Sequence, residues 1–313
     1  MRTSELDYDL PPELIAQRPL ERRDDSRLLV YRRVTQDVRH RGFRDLPSEL
    51  GARSLLVVND TRVIPARLNL RRPGGGEAEL LLLEHVGDGL WEALARPSRK
   101  LRPGMRLGPA ELVRSLGDGR WHVRLEGEPA GEAPLPPYIT EPLEDPERYQ
   151  TVYADEAGSA AAPTAGLHLT PDLLDRFDVE QVTLHVGLDT FRPITAETLA
   201  GHDIHSERYR VSQEASERIR SAERVVAVGT TTVRVLETLA RGGPLEGRTE
   251  LFVTPGFEFR RVDALVTNFH LPRSSLLALV MAFAGVEETR RLYRLAVEER
   301  YRFYSFGDAM LVL

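Results

Sequence analysis

Asn268-Phe-His-Leu-Pro-Arg-Ser-Ser275 gathers an amide, an imidazole, a guanidinium and two hydroxyls into one short stretch. It lies between the apolar run Ala264-Leu-Val-Thr267 and the longer run Leu276-Leu-Ala-Leu-Val-Met-Ala-Phe-Ala-Gly285. That order predicts a strand, a polar loop, and a helix capped by Ser274 or Ser275. The free N–H groups of a helix start, beside His270 and Arg273, suit a carboxylate or a phosphate.

Gly229-Thr230-Thr231-Thr232-Val-Arg234 reads as a second such junction, after the strand Arg224-Val-Val-Ala-Val228. In α/β sheets ligands gather at the carboxyl ends of strands. Small hydroxyl residues and free N–H groups there suit a carboxylate, a ribose or a phosphate. The stretch is neither a P-loop nor a dinucleotide fingerprint, because the required glycines and lysine are missing. An ordinary helix cap is the competing reading.

The histidines repeat the theme. His168 ends Ala162-Pro-Thr-Ala-Gly-Leu-His168, with Thr164 and Gly166 before it, and His185 precedes Gly187 at the end of Val182-Thr-Leu-His-Val186. His202-Asp-Ile-His205-Ser-Glu207 has two histidines near a carboxylate, but zinc needs a further ligand at defined spacing. Hydrogen bonding or acid–base work by His205 and Glu207 fits better. No Gly-x-Ser-x-Gly elbow supports a hydrolase triad. A single histidine is usually structural; His168, His185, His205 and His270 together at such junctions argue for a site.

Two textures must position these groups. Between Arg67 and Tyr138 the segments are short, alternating and punctuated by Gly87-Asp-Gly89 and Gly117-Asp-Gly119, which predicts antiparallel hairpins closing a small barrel. From Ala162 onward, strand-then-helix units follow one another. Thr170 and Ser212 are expected to cap helices, Gly242 to stop the one opened at Gly229, and Glu287 to Arg300 to form the last helix. The expected fold is therefore α/β (mixed α+β): an α/β domain of residues 1–65 and 150–313, with a β-barrel of residues 66–149 inserted.

At 313 residues, 41% apolar and 29% charged, the chain has the composition of a globular protein with a sizeable core. Without cysteine, thiolate nucleophiles, disulfides, iron–sulfur clusters and thiolate zinc sites are excluded. Acids near Met1 occupy the place of a signal peptide's apolar region, and Leu276 to Gly285 is too short to span a bilayer. A cytoplasmic location without membrane contact is expected. The net charge of −6 disfavours a general nucleic-acid coat. Residues 51–110, however, hold ten basic and six acidic side chains, so a structured RNA remains an open partner. Arg62 and Arg67, together with Arg96, Arg99 and Lys100, could track phosphates; a polar hinge is the alternative for the first pair.

Assembled in order, these strings resemble the S-adenosylmethionine:tRNA ribosyltransferase-isomerase family of queuosine biosynthesis. The likeness runs through Asp7-Tyr-Asp-Leu-Pro-Pro-Glu-Leu-Ile-Ala-Gln17, Val58-Asn-Asp-Thr-Arg-Val-Ile-Pro-Ala-Arg-Leu68 and Arg148-Tyr-Gln-Thr-Val-Tyr153. It continues through Ala161 to His168, Val182 to Gly187, Val228 to Thr231, Asn268 to Pro272, and Tyr301-Arg-Phe303 with Gly307-Asp-Ala-Met310. The resemblance implies transfer and isomerisation of the ribosyl part of S-adenosylmethionine onto 7-aminomethyl-7-deazaguanine at the tRNA wobble position. Epoxyqueuosine-tRNA forms, and adenine and methionine leave. S-adenosylmethionine is consumed as a co-substrate, no metal is implied, and a monomer is expected.

That chemistry needs a base for a C5′ hydrogen acidified by the sulfonium and an acid for departing adenine. His168, His185, Glu207 and His270 are the candidates, with roles left open. Arg234, or the N–H groups of Thr230 and Thr231, would hold the methionine carboxylate, and Asp308 is assigned to the aminomethyl group. The Asn268–Ser275 junction would form one pocket wall, facing the Gly229 junction. Arg273 stands where the family has lysine and can clamp an anion but not act as a base. Thr232 replaces a serine, and Asp189 a small residue. Two other classes stay open: an S-adenosylmethionine methyltransferase, for which the glycine-rich loop is missing, and a non-catalytic RNA-binding module built on the β unit.

Overall fold

The computed structural model describes residues 1–187, 190 and 192–313; Asp189 lies outside the described residues. In chain order the strands are β1 (Arg27–Arg32), β2 (Asp37–Gly42), β3 (Ser54–Asn59), β4 (Thr61–Val63), β5 (Arg67–Arg71) and β6 (Glu77–Gly87). They continue as β7 (Leu90–Arg96), β8 (Arg106–Leu107), β9 (Ala110–Gly117), β10 (Arg120–Leu125), β11 (Glu156–Ser159) and β12 (Asp178–Leu184). The last are β13 (Glu207–Arg210), β14 (Arg224–Val228), β15 (Glu246–Thr249), β16 (Ala264–Asn268) and β17 (Ala309–Val312). The helices are α1 (Leu46–Leu50), α2 (Pro171–Leu174), α3 (Gln213–Ser221), α4 (Thr230–Leu239), α5 (Ser275–Ala284) and α6 (Val286–Glu298).

A nine-stranded mixed sheet in the order β15-β13-β12-β3-β14-β16-β17-β1-β2 carries the larger body. Its centre, β12, β3, β14 and β16, is parallel. Strands covered on both faces need continuous apolar runs, and β3 and β16 are buried at every position. One face packs Val57, Ala227, Leu236 and Leu279. The other packs Phe43, Leu56, Leu169 and Val226.

The second body is a six-stranded antiparallel sheet, β5-β6-β7-β10-β9-β8, curled around Trp91, Trp121, Leu80 and Val123. Its ends approach each other: a Cβ on Gly108, in the β8–β9 turn, would lie 3.5 Å from Leu70 of β5. Trp91, Ala93 and Ala95 of β7 point inward while their neighbours face out, the two-residue period of a half-buried strand. Both hairpins turn on two residues with positive φ, Asp88 (50°) with Gly89 (69°) and Asp118 (48°) with Gly119 (80°). That is the turn whose twist matches antiparallel strands.

The segment 126–149, expected as part of the inserted barrel, adds no strand to the barrel sheet. Its Leu135, Tyr138, Ile139 and Leu143 pack with Leu167 and Phe306 of the larger body. Helix starts fall where the caps predict: Thr170, Ser212 and Ser274 each accept a first-turn N–H. Helix α4 ends at Leu239, a turn ahead of Gly242. Strand β12 stops at Leu184, so His185 and Val186 already belong to the following loop.

Candidate active site

The carboxyl ends of β12, β3, β14 and β16 lie side by side, and the loops leaving them carry most of the candidate side chains. A cavity of about 340 Å³ opens there against the barrel's outer face. His185, Gly187, Glu207, Thr230, Thr231 and Arg234 line it from the sheet edge; Glu84, His85, Glu92 and Arg120 line it from the barrel. Leu251, Phe252, Val253, Leu276 and Leu279 give it an apolar wall, with His202 packed edge-on against Phe252 at 5.4 Å.

His185 is the half-buried imidazole of this cavity. Its Nδ1 shares a hydrogen bond with Thr61 Oγ1 at 2.9 Å. The ring lies against Gly158, where a Cβ would come within 2.8 Å of Cε1. Burial, reinforced by the Arg208 charge, lowers its pKa below 6.5, so the ring is neutral near pH 7. Thr61 fixes the ring orientation and leaves Nε2 as its second proton-transfer position.

Glu207 and Arg234 form a buried pair, with side chains only 6% and 8% exposed. Glu207 Oε1 also accepts from Gly187 N–H (3.1 Å) and Thr190 Oγ1 (3.3 Å), while Oε2 accepts from Arg234 Nη1. Arg234 further donates from Nε to Leu251 O and from Nη2 to Thr249 O, both at 3.0 Å. The guanidinium expected to hold the methionine carboxylate is thus already neutralised within the protein. Asn59, at the end of β3, ties the wall together. Its Nδ2 donates to Leu184 O (3.0 Å) and Thr231 Oγ1 (3.2 Å), and its Oδ1 accepts from Thr61 N–H (3.2 Å) and Leu184 N–H (3.0 Å).

A recess of about 30 Å³ continues the cavity past Thr190, Thr230, Thr231 and Leu276. Thr164, Gly229, Asn268 and His270 line it. His168 stands directly behind: Asn268 Nδ2 meets its Nε2 at 3.2 Å, Ser26 Oγ its Nδ1 at 2.9 Å, and Phe43 packs on the ring. Burial pushes His168 down to about 4 and His270 down to about 3, so both are neutral. His270 Nε2 is engaged by Thr267 Oγ1 at 2.7 Å, and Phe269 anchors its strand end among Tyr293, Tyr301 and Phe303.

Other candidates are placed elsewhere. Arg273 is exposed, with φ of 56°, and borders neither the cavity nor the recess. Ser274 spends its hydroxyl on the cap of α5, bonding Leu277 N–H at 3.1 Å and Leu271 O at 2.7 Å. Asp308 is buried away from the cavity and accepts from the backbone N–H of Arg27 (2.9 Å) and Arg302 (2.8 Å), so it clamps chain rather than facing an amine. Gly166 gives room to Tyr153, whose hydroxyl an added Cβ would overlap. Arg62 pairs with Glu147, and Arg67 lies 3.8 Å from Glu79. Arg96, Arg99 and Lys100 are exposed at the far end of β7. Among the described residues no cluster of His, Asp and Glu is placed to hold a metal, and no helix is long and apolar enough to cross a membrane.

A family model described as a queuosine biosynthesis protein matches residues 3–312. The chain belongs to that family. Among curated relatives, the S-adenosylmethionine:tRNA ribosyltransferase-isomerase of Rubrobacter xylanophilus is 57% identical over 100% of this chain and 98% of its own length. That of Symbiobacterium thermophilum is 51% identical over the whole of both chains. The crystal structure of S-adenosylmethionine tRNA ribosyltransferase from Thermotoga maritima matches with a TM-score of 0.58 at 41% identity, covering 99% of this chain and 100% of the other.

Sequence reasoning missed the barrel's share of the wall, because Glu84, Glu92 and Arg120 look like ordinary outward residues of alternating strands. It missed the orienting roles of Asn59 and Thr61 although both stand in the Val58–Leu68 string; their position at the end of an apolar strand was the available signal.

Proposed function

We propose that this queuosine biosynthesis protein is an S-adenosylmethionine:tRNA ribosyltransferase-isomerase acting on 7-aminomethyl-7-deazaguanine at the wobble position. The observation that carries the reading is the cavity between barrel and sheet edge, which gathers His185, Glu207, Thr230, Thr231 and Arg234 in a chain belonging to the family over nearly its whole length.

The apolar wall around Phe252 and Leu279 suits the adenine ring. The first-turn N–H groups of α4, at Thr230 and Thr231, have no acceptor within the helix and receive the methionine carboxylate. This replaces Arg234, whose charge Glu207 already balances. Neutral His185, oriented by Thr61, removes the acidified C5′ proton. Glu207, neutralised by Arg234, keeps Gly187 and Arg234 in place beside the sulfonium. His168 and His270, with both or one of their nitrogens engaged and their rings neutral, shape the recess through Asn268 and Thr267. The exposed Arg96, Arg99 and Lys100 are offered to tRNA phosphates.

Incubating the protein with S-adenosylmethionine and tRNA bearing the aminomethyl base tests this reading. Free adenine and an epoxy-cyclopentane nucleoside are expected. S-adenosylhomocysteine would make the protein a methyltransferase, and no small-molecule product would leave an RNA-binding module.

A further inference from the structure

Behind His168, on the side away from the large cavity, a cleft of about 20 Å³ is lined by Arg23, Ser26, Arg148, His168 and Ser305. Arg302 lies beside it; its charge and that of Arg23 both act on His168. Each of the three arginines is half-buried. Each donates only to backbone carbonyls: Arg23 to Leu167 O (3.2 Å) and Glu147 O (3.1 Å), Arg148 to Leu20 O, and Arg302 to Arg18 O. Arg148 Nε and Arg302 Nη1 are buried without any partner.

Most surrounding carboxylates have other partners, and Asp145, whose charge acts on Arg23, accepts from Glu147 N–H at 3.0 Å. Glu147 pairs with Arg62, Asp24 with Arg22, Glu141 with Arg18 and Asp25 with Arg44. Asp308 accepts from the backbone N–H of Arg27 and Arg302. Two guanidiniums therefore line the cleft and a third lies beside it, none of them in an ion pair among the described residues. A half-buried charge without a direct ion-pair partner is costly, as is a buried N–H without an acceptor. Guanidinium N–H groups lining one cleft, with the hydroxyls of Ser26 and Ser305 beside them, match the oxygens of a phosphate. The cleft is too small to enclose a nucleotide but open enough for one phosphate group presented from outside.

We infer that Arg23, Arg148 and Arg302, with Ser26 and Ser305, form a phosphate site that takes one backbone phosphate of the tRNA. The inference rests on the functional reading above for the identity of the polyanion. It differs from the exposed arginines of β7 in being built: the side chains are half-buried, and Arg148 Nε and Arg302 Nη1 are buried without a partner. Asn268 and His168 link this cleft to the recess, so a phosphate seated here also bears on the wall that receives S-adenosylmethionine.

The test compares the full-length protein with Arg148→Gln, using a full-length tRNA transcript and a salt titration. The variant is expected to bind tRNA roughly tenfold more weakly, the loss of one charge-assisted contact. Its log K against log salt slope should fall by about 0.7 to 0.9, one phosphate's share. Without tRNA, S-adenosylmethionine affinity should not change, and Arg148→Lys should recover most of the slope. Equal affinity and slope in a folded variant would overturn the site. So would inorganic phosphate raising the Tm of the wild type but not of R148Q while tRNA binding stays equal, since the cleft would then hold a free anion only. If R148Q does not fold, Arg23→Gln, at the cleft's edge, carries the same comparison. Failure of the wild type to bind tRNA at all would instead sink the functional reading, which distinguishes the two.

Discussion

The imidazole of His185 has what a general base needs: a neutral ring, one nitrogen fixed by Thr61 and a position on the cavity wall. His168 and His270 are neutral for the same reason, burial, yet their nitrogens are engaged by Asn268, Ser26 and Thr267. Replacing His185 with Gln should therefore lower the rate of adenine release about 10²- to 10⁴-fold, the usual share of a general base, with little change in S-adenosylmethionine affinity. Its pH dependence follows from the lowered pKa. A base works deprotonated, so kcat should stay level as pH falls to 6.5 and decline only below it, through the depressed pKa. A rate in H185Q equal to wild type, or an acid limb centred above 6.5, would remove His185 from the chemistry.

Ser274 opens α5 as the N-cap, and its hydroxyl is spent on Leu277 N–H and Leu271 O. Ser274→Ala should cost about 1 kcal/mol of stability, the ordinary value of a cap, and leave KM for S-adenosylmethionine unchanged. Chemical denaturation and initial-rate measurements read the two effects separately, and a tenfold rise in KM at unchanged stability would put the hydroxyl on the substrate instead. Elements of this kind were legible because their signals are local. Thr170, Ser212 and Ser274 announce helix starts, and Asp88-Gly89 and Asp118-Gly119 announce two-residue turns that need positive φ. The contents of the site were only half legible. Glu207 and Arg234 were both named, but nothing along the chain says that a strand start and a helix far apart in sequence will pair in a dry place and cancel each other's charge. The setting of Asp308 was hidden for a related reason: Arg302 N–H is a local partner, but Arg27 N–H is brought to it only by β1 and β17 lying parallel.

At the scale of the whole molecule, the cavity exists because the barrel's outer face stands opposite the carboxyl edge of the sheet. Strand patterning could predict two bodies, but which face of the barrel looks inward depends on the path of residues 126–149 back to the larger body. Arg248 of β15 reaches across this gap to Glu84 of β6 and is held from behind by Ser206 Oγ at 2.8 Å. Both side chains are more than 40% exposed, so the pair adds at most about 1 kcal/mol to stability and weakens as salt rises. Its consequence lies in geometry. Removing it frees the barrel to shift relative to the wall that carries His185 and Arg234, and a displacement of an ångström between two halves of a site is enough to disturb positioning. Arg248→Ala and Glu84→Ala should each leave the unfolding midpoint within a degree or two of wild type while raising KM for S-adenosylmethionine several-fold. The double variant should be no worse than either single one, because both remove the same link. Additive KM effects would mean that the two side chains meet the substrate independently rather than holding the barrel to the sheet.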